Sequence, residues 1–113
     1  SADPKRRFFQ GGRHHDAEVF EYSTDLPLDP ERLGAVFTSL EPGILRAKGV
    51  VRLDDPSAVQ FKYLVQYTGS QKQLYSRPWS SGEAKRTNLL FLGSTFDAPG
   101  LKTRLDACRV GAP

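Results

Sequence analysis

Cysteine is nearly absent from this chain: Cys108 is its only one, so no internal disulfide can form and nothing points to an oxidising compartment. Histidine occurs only as His14-His15 and tryptophan only as Trp79. Long apolar runs are missing as well. None approaches the roughly 20 residues that cross a bilayer, and Phe8-Phe9 stands among Lys5, Arg6, Arg7 and Gln10 rather than in the apolar core of a signal peptide. The expectation is a soluble, cytoplasmic protein with no membrane partner. Enzyme motifs are also lacking: the sequence holds no G-x-x-x-x-G-K-[ST] phosphate loop, no G-x-S-x-G elbow, no G-x-G-x-x-G turn and no H-E-x-x-H pair. Asp54 and Asp55 fall together in a turn, where bonding to their own backbone explains them better than acid–base chemistry. Catalysis by this chain is not expected.

An excess of positive charge on the folded part is absent too. The net charge is +3, and residues 1–15, with Lys5, Arg6, Arg7 and Arg13 against Asp3, account for all of it; residues 16–113 carry twelve basic and twelve acidic side chains. A domain that wraps nucleic acid concentrates cations on its folded surface. Here only the first segment is basic, and its paired glycines and lack of apolar period read as a flexible leader or linker end over residues 1–15. The remaining residues, 16–113, are enough for a single domain with a real core.

Alternation and caps supply the elements. Ala17 to Ser23 reads as a strand with Phe20 and Tyr22 on one face. Asp29 as N-cap, Pro30 at the first helical position, Glu31 in the first turn and Leu33, Val36, Phe37 and Leu40 at helical spacing predict a helix that Glu41-Pro42-Gly43 stops. Gly43 to Leu53 is the most informative strand: period two sends Leu45, Ala47, Gly49, Val51 and Leu53 to one face and Arg46, Lys48, Val50 and Arg52 to the other. After the Asp54-Asp55-Pro56-Ser57 turn, Ala58 to Thr68 alternates, with Val59, Phe61, Tyr63, Val65 and Tyr67 sharing a face. Gln71 to Arg77 forms a third strand of this meander. Asn88 to Gly93 lacks alternation and reads as covered on both faces or central in the sheet. Asp97 caps a last helix with Leu101, Leu105 and Cys108 on one side, closed by Gly111.

The order β-α-β-β-β-β-α, with one apolar stripe per helix, predicts an α+β two-layer sandwich. Its mainly antiparallel sheet of four to five strands carries both helices on one face. The other face is left at least partly open, and some of Arg46, Lys48, Arg52 and Lys62 belong there. Arg46, Lys48, Arg77 and Trp79 are the candidates for an interface or a ligand. The competing reading of Arg46 and Lys48 is structural, as ion pairs with Glu18 or Glu21 that hold strand register.

His14-His15-Asp16 is the one cluster of potential metal ligands, and adjacent histidines can bind zinc weakly; a solvated tail is the competing reading. Cys108 on the helix stripe reads as a small buried hydrophobe rather than a reactive thiol. Phe61, Tyr63 and Tyr67 have the alternation of an RNA-stacking platform, but Val59 and Val65 share their face and mark it as core. A single-strand nucleic-acid-binding module using the sheet face and basic tail is the alternative function.

The segment Gly43-Ile44-Leu45-Arg46-Ala47-Lys48-Gly49, about thirty residues after a histidine-containing start, resembles the hallmark of the C-terminal domain of CobW-type GTPases. The strand around Val59 to Tyr67, the stretch from Leu74-Tyr75 to Arg77-Pro78-Trp79, the Leu90-Phe91-Leu92-Gly93 strand and the Leu101, Leu105, Cys108 helix follow in the family's order, so that the resemblance covers about Asp16 to Arg109. It implies a domain that follows a P-loop GTPase domain, often after a His-rich linker, where His14-His15 would fall. By that resemblance the chain is an accessory protein- or ligand-binding domain in zinc or cobalt delivery, metal homeostasis or cobalamin biosynthesis. Its partners would be the GTPase domain in cis and a client metalloprotein. GTP, magnesium and the family's Cys-x-Cys-Cys metal site belong to the GTPase domain, which leaves this chain with no cofactor beyond weak zinc.

Overall fold

The computed structural model describes residues 17–111; the leader and its two histidines lie outside them. Strand β1 spans Glu18–Thr24, helix α1 Pro30–Thr38, β2 Ile44–Val51, β3 Phe61–Tyr67, β4 Lys72–Pro78, β5 Thr87–Gly93 and helix α2 Ala98–Asp106. Both helices begin as their caps dictate. The Asp29 carboxylate accepts from the Arg32 N–H at 2.8 Å and the Asp97 carboxylate from the Gly100 N–H at 2.9 Å, each satisfying an amide that the first turn leaves without a partner. No described helix is long and apolar enough to cross a membrane.

The five strands form one antiparallel sheet in the order β1-β5-β2-β3-β4. The last strand therefore inserts between the first two, so β1 and β2 run parallel to each other with β5 between them, bridged by α1. Phe91 of β5, fully buried, stands at the centre of the core. Its ring lies 5.9 Å from that of Phe37 on α1 and 6.0 Å from that of Phe20 on β1. Tyr22, Ile44, Ala47, Val51, Val65 and Leu89 from the sheet meet Leu33, Val36, Leu101 and Leu105 from the helices. Both helices thus lie on one face, as the α+β reading requires.

Tyr22 ties the two layers by a polar contact, its hydroxyl donating to the Asp106 carboxylate at 2.8 Å. Burial, with the Asp106 bond second, drives the Tyr22 phenol far above its ordinary range. Bonds from Lys102 and then Tyr22 hold the Asp106 carboxyl below the usual carboxylate range. At Gly49, with φ +150°, an added Cβ would run into the Asn88 carbonyl of β5, so the β2–β5 pairing needs glycine there.

Four expectations change. Leu45 does not face the core: a register shift between Ile44 and Arg46 against β5 leaves Leu45 55% exposed and turns Ile44 inward at 2%. One bulged residue reverses the facing of what precedes it. Val59 leaves the sheet, because Pro56–Ala58 form a 3₁₀ turn in which the Asp55 carboxylate accepts from the Ser57 N–H and hydroxyl. β3 starts only at Phe61, and Val59 is 56% exposed. β5 does alternate: Thr87, Leu89, Phe91 and Gly93 are buried, Asn88 is exposed, and Leu90 and Leu92 are half-buried on the face without helices. It is interior to the sheet but not covered on both faces. Finally, α2 stops at Asp106. The chain continues through a turn whose Cys108 carbonyl accepts from the Asp29 N–H at 2.8 Å, and the buried thiol lies 3.4 Å from the Arg104 carbonyl. Burial, with Asp29 nearby, pushes this thiol up, as suits a packed hydrophobe rather than a nucleophile.

Candidate functional site

The sheet face opposite the helices carries the candidate site. Cross-strand register places Glu21, Leu90, Lys48, Gln66 and Gln73 in one row and Ser23, Asn88, Val50, Leu64 and Tyr75 in the next. Arg46 pairs with Leu92, which pairs with Val19. A shallow depression of about 630 Å³ runs along these rows. Its floor is apolar (Val50, Leu64 and Leu90) and its rim is polar, with Glu21, Lys48, Gln66 and Asn88. Val19 and Tyr75 extend the apolar surface and are 46% and 42% exposed. A face that none of the described residues covers as a layer, yet that carries this many half-buried aliphatics, has the character of an interaction surface.

Lys48 lies in the same row as Glu21, with Leu90 between them, and makes no ion pair among the described residues. Arg46 is on the same face one row along. Arg52 has a structural task instead. Its guanidinium donates to the Asp25 carbonyl at 2.5 Å, while its N–H donates to the buried Thr87 hydroxyl at 2.9 Å.

Arg77 and Trp79 lie elsewhere. Arg77 is opposite Lys62, two strands and two rows from Lys48, and its guanidinium donates to the Ser76 carbonyl at 2.9 Å. The Lys62 ammonium is 5.8 Å from the Trp79 ring centroid and 2.8 Å from the Glu83 carboxylate. Hydrogen bonds from Lys62 and from the Ser80 N–H hold Glu83 below its ordinary range. Trp79 also lines a second cleft of about 340 Å³ with Pro27, Leu53, Asp54, Pro56 and Val59. The four candidates therefore form two groups: Arg46 and Lys48 in mid-sheet, Arg77 and Trp79 at one corner.

The largest omission of the sequence reading is the apolar floor. Leu90, Leu92 and Leu64 join Val50 on the face of the cations, and the signal was the unbroken Leu89-Leu90-Phe91-Leu92 run, read there as covered on both faces or central in the sheet. The aromatics of β3 take the opposite side: Tyr63 and Tyr67 pack against the core, and Phe37 meets the Tyr67 ring edge-on at 6.2 Å. Among the described residues the open face therefore offers Tyr75 for stacking and no paired platform.

Metal chemistry finds no donor set among the described residues. No group of three or more His, Cys, Asp or Glu side chains converges there, and both histidines precede residue 17. The described residues do not fit a tight zinc site, which needs four converging ligands or three and an open position.

A family model described as the cobalamin synthesis protein cobW C-terminal domain matches residues 17–109. Two solved structures have the same fold. Zn(II)-bound YjiA GTPase from E. coli is 21% identical with a TM-score of 0.73, over 84% of this chain and 30% of that one. A Zn(II)-bound triple mutant of YjiA GTPase is 20% identical with a TM-score of 0.74, over 87% and 31%. This chain thus spans about a third of the length of those GTPases. No curated protein is similar enough to count as a relative. The match over most of the chain settles the assignment: it belongs to the family of cobalamin synthesis protein cobW C-terminal domains.

Proposed function

We propose that this domain serves as the accessory, protein-binding part of a CobW-type GTPase that handles a metal ion as cargo. Its open sheet face is the surface that meets either the GTPase domain in cis or a client metalloprotein. The observation that carries this reading is the apolar floor of Val50, Leu64 and Leu90 with Lys48 at its rim: it is shaped for a partner and holds no catalytic group. Zinc in the two YjiA structures supports a metal-related role. The metal's chemistry belongs to the partner domain; any zinc contact of this chain rests on His14 and His15.

The test is binding of the chain to the separately produced GTPase domain and to metal-requiring client enzymes, read by calorimetry. Arg46→Glu with Lys48→Glu, and separately Leu90→Ser, should each weaken binding about tenfold or more while leaving the urea midpoint nearly unchanged. Unchanged binding with lost stability would sink the interface and leave Arg46 and Lys48 as register-fixing residues. For zinc, equal uptake by the full chain and by one starting at Asp16 would remove His14 and His15 as ligands.

A further inference from the structure

β4 is the outermost strand of the sheet, and all seven of its residues are exposed. Which of its backbone groups face outward follows from the bonds at either end of the β3–β4 ladder. The Trp79 N–H donates to the Gln60 carbonyl at 3.1 Å and the Thr68 N–H to the Gln71 carbonyl at 2.9 Å. Hydrogen-bonded pairs alternate in an antiparallel ladder, so with the observed register the pairs Lys62/Arg77, Leu64/Tyr75 and Gln66/Gln73 exchange bonds. The N–H and C=O groups of Lys72, Leu74 and Ser76 then point away from the sheet. Pro78, which has no N–H to offer, falls at an outward position, as it must.

The side chains beside this edge have a defined chemistry. Leu74, 57% exposed, stands on the helix-side face opposite Val65 and diagonal to Tyr63 and Tyr67, and Phe61, farther along that face, is itself 38% exposed. Lys72 lies on that same face, Arg77 on the other, and the strand contains no acid. The bond from the Arg77 guanidinium to the outward Ser76 carbonyl holds that cation at the edge itself.

We propose that β4 receives an extended acidic segment of another protein by strand addition. The incoming backbone pairs with Lys72, Leu74 and Ser76, an apolar side chain packs on Leu74, and carboxylates meet Lys72 and Arg77. Charge decides the occupant: two copies joined through their β4 strands would gather four cations and no acid along one seam, whereas an acidic strand neutralises them. Lys72 and Arg77 are five residues apart, roughly 17 Å along a strand, so the segment must span at least that length. This surface is separate from the open face, and its test does not depend on that face binding anything.

The experiment titrates the 113-residue chain with a labelled seven-residue peptide, Thr-Glu-Thr-Thr-Val-Thr-Glu, which in antiparallel pairing sets its glutamates opposite Arg77 and Lys72 and its valine opposite Leu74, and with the same peptide carrying lysine for glutamate. The glutamate peptide should bind and the lysine peptide should not. Hydrogen exchange should slow at the amides of Lys72, Leu74 and Ser76 and stay unchanged at Gln73, Tyr75 and Arg77. Ser76→Pro deletes an outward N–H that the β3–β4 ladder does not use, and should weaken binding about tenfold or more. Lys72→Glu with Arg77→Glu should invert the peptide preference. Failure of the unmodified chain to bind the glutamate peptide, or binding without slowed exchange at the outward amides, would overturn the proposal. So would self-association of the chain that Ser76→Pro abolishes, which would give the edge to a second copy.

Discussion

The two faces of the sheet use similar side chains to different ends. On the helix side, Phe91, Leu89 and Val51 are sealed under α1 and α2; on the other, Leu90 and Val50 on the same strands are half-buried with no layer of the described residues above them. Burial follows from what covers a residue, not from its type. Stability should therefore reside on the helix side and recognition on the open side, and substitutions can separate the two.

Phe91→Ala should cost most, about 3–5 kcal/mol in urea unfolding, because it empties the contact of three rings. A loss no larger than that of an open-face leucine would erase the distinction between the faces. Gly49→Ala should cost about 2–3 kcal/mol, from the clash with the Asn88 carbonyl and the backbone angle that glycine alone adopts freely. Tyr22→Phe should cost about 1–2 kcal/mol by removing a hydrogen bond to a carboxylate, and it should change the pH profile at both ends. The Asp106 carboxyl is held low, so its contribution is present above about pH 4, the unfolded value, and fades as pH falls below it. The Tyr22 phenol is held high, so its contribution is present below about pH 10 and fades as pH rises beyond that. Urea midpoints between pH 2 and 11 should show both losses reduced in the phenylalanine variant. Leu90→Ser should have the smallest effect, about 1 kcal/mol or less, and a larger cost would make the open face part of the core.

Much of this was legible in the residues. Asp29-Pro30 and Asp97 announced their helices because capping is local chemistry, decided within four residues. The alternation from Phe61 to Tyr67 revealed both strand and inner face. Leu45 was misassigned because a bulge depends on how β2 meets β5, and no period within one strand records that. Val59 was misassigned because Asp55 caps a 3₁₀ turn that competes with early strand formation. For the site, Arg46 and Lys48 were visible as an outward pair; the floor beneath them was not, since it is assembled from three strands.

The amino-acid sequence by itself determined the elements, their caps, the inner stripe of each helix and the resemblance that names the family, because these depend on neighbours a few residues away. Only the tertiary structure decided that β5 enters between β1 and β2, which brings Leu90 and Leu92 beside Lys48 and Arg46. It likewise decided that β4 ends the sheet with Lys72, Leu74 and Ser76 facing outward. The physical reason is the same in both cases: strand order and edge are set by hydrogen bonds between distant segments, and a strand carries the same residues whichever neighbour it finds.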